Sequence, residues 1–121
     1  MRTSSRNGNV NKHEQGYATA EAAVALPALL VVLSLAVGVL VSVGAELRCV
    51  DAARAAARVA ARGDSDLAAE GAGKQVAPSG SHVSVEHRGE QVEVRVAGEV
   101  RPFPFFPGIH VSARAVAEVE R

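Results

Sequence analysis

Residues 22–45, AAVALPALLVVLSLAVGVLVSVGA, are 24 consecutive residues without a formal charge, bounded by Glu21 and Glu46. As a helix this run is about 36 Å long, more than the roughly 30 Å hydrocarbon core of a bilayer. It reads as one membrane-spanning helix, with the lipid bilayer as its first partner. Ahead of it Arg2, Arg6 and Lys12 stand against Glu14 in a polar segment rich in Ser and Asn. The positive-inside rule then keeps the N-terminus cytoplasmic and exports the residues after 45. Arg48, Arg54, Arg58 and Arg62 follow the span closely and narrow that charge asymmetry.

Beyond the span, residues 46–62 are dominated by Ala, the best helix former, and are followed by Gly63, a suitable C-terminal cap. The spanning helix is expected to continue outward through them. Asp51, Arg54, Arg58 and Arg62 recur at three- or four-residue steps as a polar face, while Val50, Ala53, Ala57, Ala60 and Ala61 gather on another. A second, short helix is expected over 66–76, capped by Asp64 or Ser65, weakened by Gly71 and Gly73 and stopped by Pro78. Ser79, Gly80 and Ser81 form a loop.

In the last forty residues the hydrophobic period changes from 3.6 to 2. Val83 and Val85 alternate with His82, Ser84 and Glu86. After Gly89 and Glu90, Val92, Val94 and Val96 alternate with Gln91, Glu93 and Arg95. Strands are expected at about 82–88 and 91–100, joined as a hairpin, with a third at 109–120 carrying Ile109, Val111, Ala113, Ala115, Ala117 and Val119 on one face. A sheet with a single apolar face needs a cover, and the Ala-rich face of the extended helix is the nearest. The fold class is therefore α+β: a long N-terminal helix, its first half membrane-spanning, packed on a small three-stranded antiparallel sheet. Between the second and third strands, RPFPFFPG (residues 101–108) holds all three Phe of the chain and three of its five Pro. Two readings stand for Phe103, Phe105 and Phe106: a plug for the end of the helix and sheet sandwich, or a subunit contact.

Composition narrows the function. The chain has 121 residues with 23 Ala and 20 Val but no Trp, one Tyr and three Phe, a thin supply for a core and too little chain for a large enzyme fold. Thirteen basic residues balance thirteen acidic ones, so no excess positive field is available for nucleic acid. Cys49 is the single cysteine and has no internal disulfide partner; it reads as a small buried residue on the Ala face ahead of an intermolecular disulfide. Strand alternation puts His82 and His87 on opposite faces, and with His110 they read as surface histidines. No metal site, cofactor, small-molecule substrate or catalytic constellation is expected.

The sharpest motif lies at the membrane entry. Gly16-Tyr17-Ala18-Thr19-Ala20-Glu21 puts a small residue at the end of the charged leader and a carboxylate five positions later. A lone Glu in the first turn of a spanning helix is favoured there by the helix dipole. An acid at the membrane edge otherwise needs a partner.

The segment GYATAEAAVALPALLVVL resembles the N-terminus of tight-adherence type IV pilins, most closely the TadE-like minor pilins (pseudopilins). The resemblance covers leader, cleavage site and helix. It implies that a prepilin peptidase cuts after Gly16, making Tyr17 the first residue of the mature chain. It also implies that Glu21 pairs with the free N-terminal amine of a neighbouring subunit, a match of charges that selects register. Leu26-Pro27 resembles the family's Leu-Pro step, and Pro27 deletes a backbone hydrogen bond and kinks the helix. The stretch PFFPGIHVSARAVAEVE is similar to the closing segment of such proteins. Major pilins of this class usually carry Tyr after the Glu; here Ala22 and a longer soluble part point to a minor subunit. Ser34, Gly38 and Ser42 form a small-xxx-small ladder suited to close helix packing.

The expected organisation is a cytoplasmic leader 1–16, an assembly helix 17–45 and an extracytoplasmic head 46–121. The partners implied are the prepilin peptidase, other pilin subunits and pilus assembly platform proteins. The protein would reside first in the cell membrane and then in a surface pilus. The alternative is a single-pass accessory or binding protein whose span is an uncleaved signal anchor. A secreted protein cut after Ala45 ranks last, because Val43-Gly44-Ala45 is a weak site and a 24-residue apolar region is long for a secretory signal.

Overall fold

The computed structural model describes the backbone of residues 7–120 and the side chains of residues 11–120. Arg2 and Arg6 of the leader lie outside that range. Five elements follow in order: α1 (Asn7–Ala61), α2 (Asp66–Val76), β1 (His82–Arg88), β2 (Gln91–Val100) and β3 (Ile109–Glu118). Two compact units divide between Ala36 and Val37. The first is helical throughout its described residues. The second holds the remainder of α1, α2 and the sheet.

α1 is a single helix of 55 residues with Pro27 inside it, so it begins well before the apolar run and covers most of the expected leader. It ends where the Ala-rich stretch meets Gly63, whose φ of +84° is a left-handed conformation that glycine adopts without a Cβ clash. The Gly63 N–H donates to the Ala60 carbonyl at 3.0 Å. Of the two caps expected for α2, Ser65 is the one used: its Oγ accepts from the Ala68 N–H at 3.3 Å. The Ala77 N–H donates back to Gly73 and closes the helix before Pro78.

The sheet is an antiparallel meander in the order β1-β2-β3. Arg88 and Gln91 face each other across the two-residue Gly89-Glu90 turn. Gly89 has φ +64° and no described non-glycine residue has positive φ, so the turn follows the type II′ pattern with glycine first. β3 stops at Glu118, two residues short of expectation. There the ladder gives way to other partners: the Val119 N–H donates to the Glu90 carbonyl and that of Glu120 to the Ala61 carbonyl.

Alternation places one face of this sheet against α1. Val83, Val92, Val94, Val96 and Val111 are buried together with Ala45, Cys49, Ala52, Ala53, Ala56, Ala57 and Ala60. The partly buried Ala113, Ala115 and Ala117 of β3 pack at the edge of that cluster. Small side chains on the helix meet the valines of the sheet face. The core is shallow but continuous, as expected for a chain so rich in Ala and Val. α2 joins it through Ala69 and Gly73.

Candidate functional site

The apolar run lies on α1, which is long and apolar enough to cross a membrane, and only 6% of its most apolar window is buried within the chain. The central helix of a water-soluble domain would be covered. Here Val24, Leu26, Leu29, Leu30, Val32 and Leu33 are all exposed, and they need an apolar surrounding that the described residues do not supply. This half of α1 is a membrane anchor near the N-terminus, consistent with a single-pass membrane protein.

Every residue of the membrane-entry motif is exposed. Tyr17 is 81% accessible, and a Cβ built on Gly16 meets nothing within 4 Å. Gly16 and Tyr17 sit inside the continuous helix, so the bond between them is in helical conformation. The Thr19 hydroxyl donates to the Gln15 carbonyl at 2.8 Å, a further turn-to-turn bond across this site. Glu21 is exposed and has no ion pair among the described residues. Pro27 is accommodated without ending the helix.

The small-residue ladder meets different surroundings along its length. Ser34 is exposed, and its hydroxyl donates to the Leu30 carbonyl at 2.7 Å. Gly38 is buried, and the atoms nearest a Cβ there are Phe103 Cε2 at 3.7 Å and Pro102 Cβ at 3.8 Å. The close approach that Gly38 permits within one chain is therefore to the chain's own 101–108 loop. The half-buried Ser42 donates to the Gly38 carbonyl at 2.9 Å.

Phe103 is the hub of that loop. Its ring stacks on Phe105 with centroids 5.6 Å apart and meets Phe106 edge-on at 6.1 Å. Phe103 and Phe106 are half-buried, and Phe103 lies against Gly38 of α1. Phe105 is 82% exposed, because stacking on Phe103 covers only one of its faces.

Two charged features of the head were not legible from spacing alone. Glu93 points away from the core yet is only 5% exposed. Arg95 Nε donates to its Oε1 at 2.7 Å, with Arg88 Nη1 at 3.5 Å and Arg114 Nη1 at 3.8 Å. The hydrogen bond from Arg95 and the three guanidinium charges hold the Glu93 carboxyl below the usual carboxylate range against the opposing effect of burial. In register, Glu86 faces Glu93 and Arg95 faces Arg114, both like-charge pairs, and the diagonal contacts of Glu93 with Arg88 and Arg114 offset them. The second feature is His87, whose Nε2 lies 2.8 Å from Asp66 Oδ1 and links β1 to the start of α2. His82 and His110 are exposed, as a surface reading requires. Cys49 is fully buried on the Ala face, where burial and the Glu46 charge push its thiol pKa up.

The chain is 38% identical over 100 residues to the Mycobacterium tuberculosis protein named Apoptosis inhibitor Rv3655c, covering 83% of this chain and 77% of that protein. It belongs to the Rv3655c family. No family model matches it. No solved structure matches it. The Rv3655c name states an activity of the mycobacterial protein. What the family member described here displays is an apolar N-terminal anchor and a small α+β head.

Proposed function

We propose that this protein is a TadE-like minor pilin of a tight-adherence type IV pilus, trimmed by a prepilin peptidase after Gly16 and assembled through its apolar helix. The observation that carries the reading is the bare helix itself. A surface of exposed Val and Leu preceded by Glu21, an acid with no ion pair among the described residues, suits either lipid or the helices of other subunits. In the membrane pool lipid covers it, and in a filament neighbouring helices do. Glu21 would then pair with the Tyr17 amine of an adjacent copy; two ions removed from water are tolerated when matched, and the pairing fixes register more than it adds affinity. The protein would have no enzymatic activity of its own; its partners would be the peptidase, other pilin subunits and the assembly platform.

A second reading is a permanent single-pass anchor carrying the head as a binding or accessory module. The helix that runs unbroken across Gly16-Tyr17 favours it, because a protease needs an extended substrate segment and would have to unwind that turn. Glycine lowers the cost of unwinding by about 1 kcal/mol relative to alanine.

Two variants separate these roles when the full chain is co-expressed with a prepilin peptidase and its assembly partners. Gly16→Lys is expected to block trimming and leave the full-length form in the membrane. Glu21→Ala is expected to be trimmed normally but to be lost from sheared surface filaments. Normal incorporation of Glu21→Ala would remove the pairing role, and indifference to both substitutions would leave the permanent anchor.

A further inference from the structure

The 101–108 loop contacts α1 at Gly38, inside the uncharged run. Gly38 lies seven residues before Ala45, about 10 Å along the helix axis from the end of that run. On other sides of the same stretch Leu40 is 71% exposed, with Val39 and Val43 also bare. Whatever apolar medium covers those side chains reaches the level of the loop, where Phe105 presents its free face.

The loop is also built for such a medium. Residues 102–109 carry no charge, and Arg101 at its margin is paired to Glu99 at 3.1 Å. Backbone N–H groups are costly outside water unless bonded. Pro102, Pro104 and Pro107 have none and the Phe106 N–H donates to the Phe103 carbonyl at 3.0 Å, while those of Phe103, Phe105 and Gly108 have no bond among the described residues and suit the hydrated headgroup boundary, not the hydrocarbon interior. Proline also fixes the backbone, so the aromatic tip is held in place before it meets a surface.

We infer that residues 102–107 form a second membrane contact, with Phe105 inserted at the boundary between headgroups and acyl chains of the leaflet on the head's side. This rests on the membrane-anchor reading of α1. The head is then seated on the bilayer at two points, the helix and the loop, and the sheet's Phe-bearing end faces lipid.

The chain contains no Trp, so a single Trp is a clean reporter. Three full-length variants, Phe105→Trp, Leu33→Trp and Val116→Trp, are reconstituted in phosphatidylcholine vesicles with brominated acyl chains. Leu33 lies in the apolar run and Val116 on the outer sheet face. The expected result is loss of most emission at positions 105 and 33, with emission at 116 unchanged. Quenching at 33 without quenching at 105 overturns the loop contact and leaves the anchor intact. A blue-shifted but unquenched Trp at 105 means that protein, such as a second copy, covers the loop, and overturns it equally. An unquenched Trp at 33 overturns the anchor and the loop contact with it.

Discussion

Gly73 of α2 lies so close to Val83 of β1 that a Cβ on Gly73 would stand 3.0 Å from Val83 Cγ1, and 3.3 Å from the Ala56 Cβ of α1. Any side chain at this position would press on both neighbours at once. Gly73→Val is therefore expected to destabilise the head by about 1–3 kcal/mol, the usual cost of overpacking. Gly71, two residues earlier, has nothing within 4 Å of its Cβ position. Gly71→Ala is expected to stabilise by about 0.5–1 kcal/mol through helix propensity and a less flexible unfolded chain. Urea unfolding of the detergent-solubilised chain, followed by circular dichroism, measures both.

Ser81 and Gly98 form a second tight contact. The buried Ser81 hydroxyl has no hydrogen-bond partner among the described residues, and a Cβ on Gly98 would overlap it. Gly98→Ala is expected to lose about 1–3 kcal/mol. Ser81→Ala removes an unsatisfied buried group and is expected to be neutral or slightly stabilising. In the double variant part of the Gly98→Ala loss should be recovered, a coupling that a thermodynamic cycle reads directly.

Glu93 ties the outer sheet face to pH. Its folded-state pKa is lowered, so its contribution to stability is complete above the unfolded carboxylate value and is lost as pH falls through the folded one. Stability of the wild-type head should therefore decline as pH drops below about 4, the ordinary carboxylate range. Glu93→Gln is expected to be less stable at neutral pH and to lose much of that acid dependence. Equal pH profiles for the two proteins would show that the three arginines do not act through Glu93.

Cys49 should behave as a packed apolar residue. With its thiol buried and its pKa raised, it stays protonated through neutral and mildly alkaline pH, and little thiolate is available to react. Maleimide modification of the folded protein is expected to be negligible within the time that denatured protein reacts completely. Non-reducing gels should show no disulfide-linked dimer. Cys49→Ser is expected to destabilise, because the hydroxyl would replace a thiol packed among Ala side chains.

The strands, the two-residue turn, the Ser65 cap and the Ala face were legible because each is a local pattern: alternation, a glycine, a hydroxyl ahead of a helix, a three-to-four-residue step. The anchor was legible from the length of one uncharged run. Glu93 was not, since its burial depends on which arginines the registers of β1 and β3 against β2 bring beside it, and alternation alone placed it on the solvent side. Phe105 was singled out with Phe103 and Phe106, but its exposure was hidden for a related reason. Spacing within RPFPFFPG gives no hint that Phe103 seats on Gly38, more than sixty positions away in the chain, and leaves its neighbour bare. The Asp66–His87 link was hidden likewise, because it joins two elements whose approach only the packing of α2 on β1 fixes.

Whether the anchor serves an assembling subunit or a permanent tether is decided most directly at its first residue. Intact-mass analysis of the protein from membranes of cells that also express a prepilin peptidase is the measurement. The expected product is a chain that starts at Tyr17, with the sixteen residues through Gly16 removed. A mass that retains those sixteen residues in the presence of active peptidase would contradict the assembling-subunit reading.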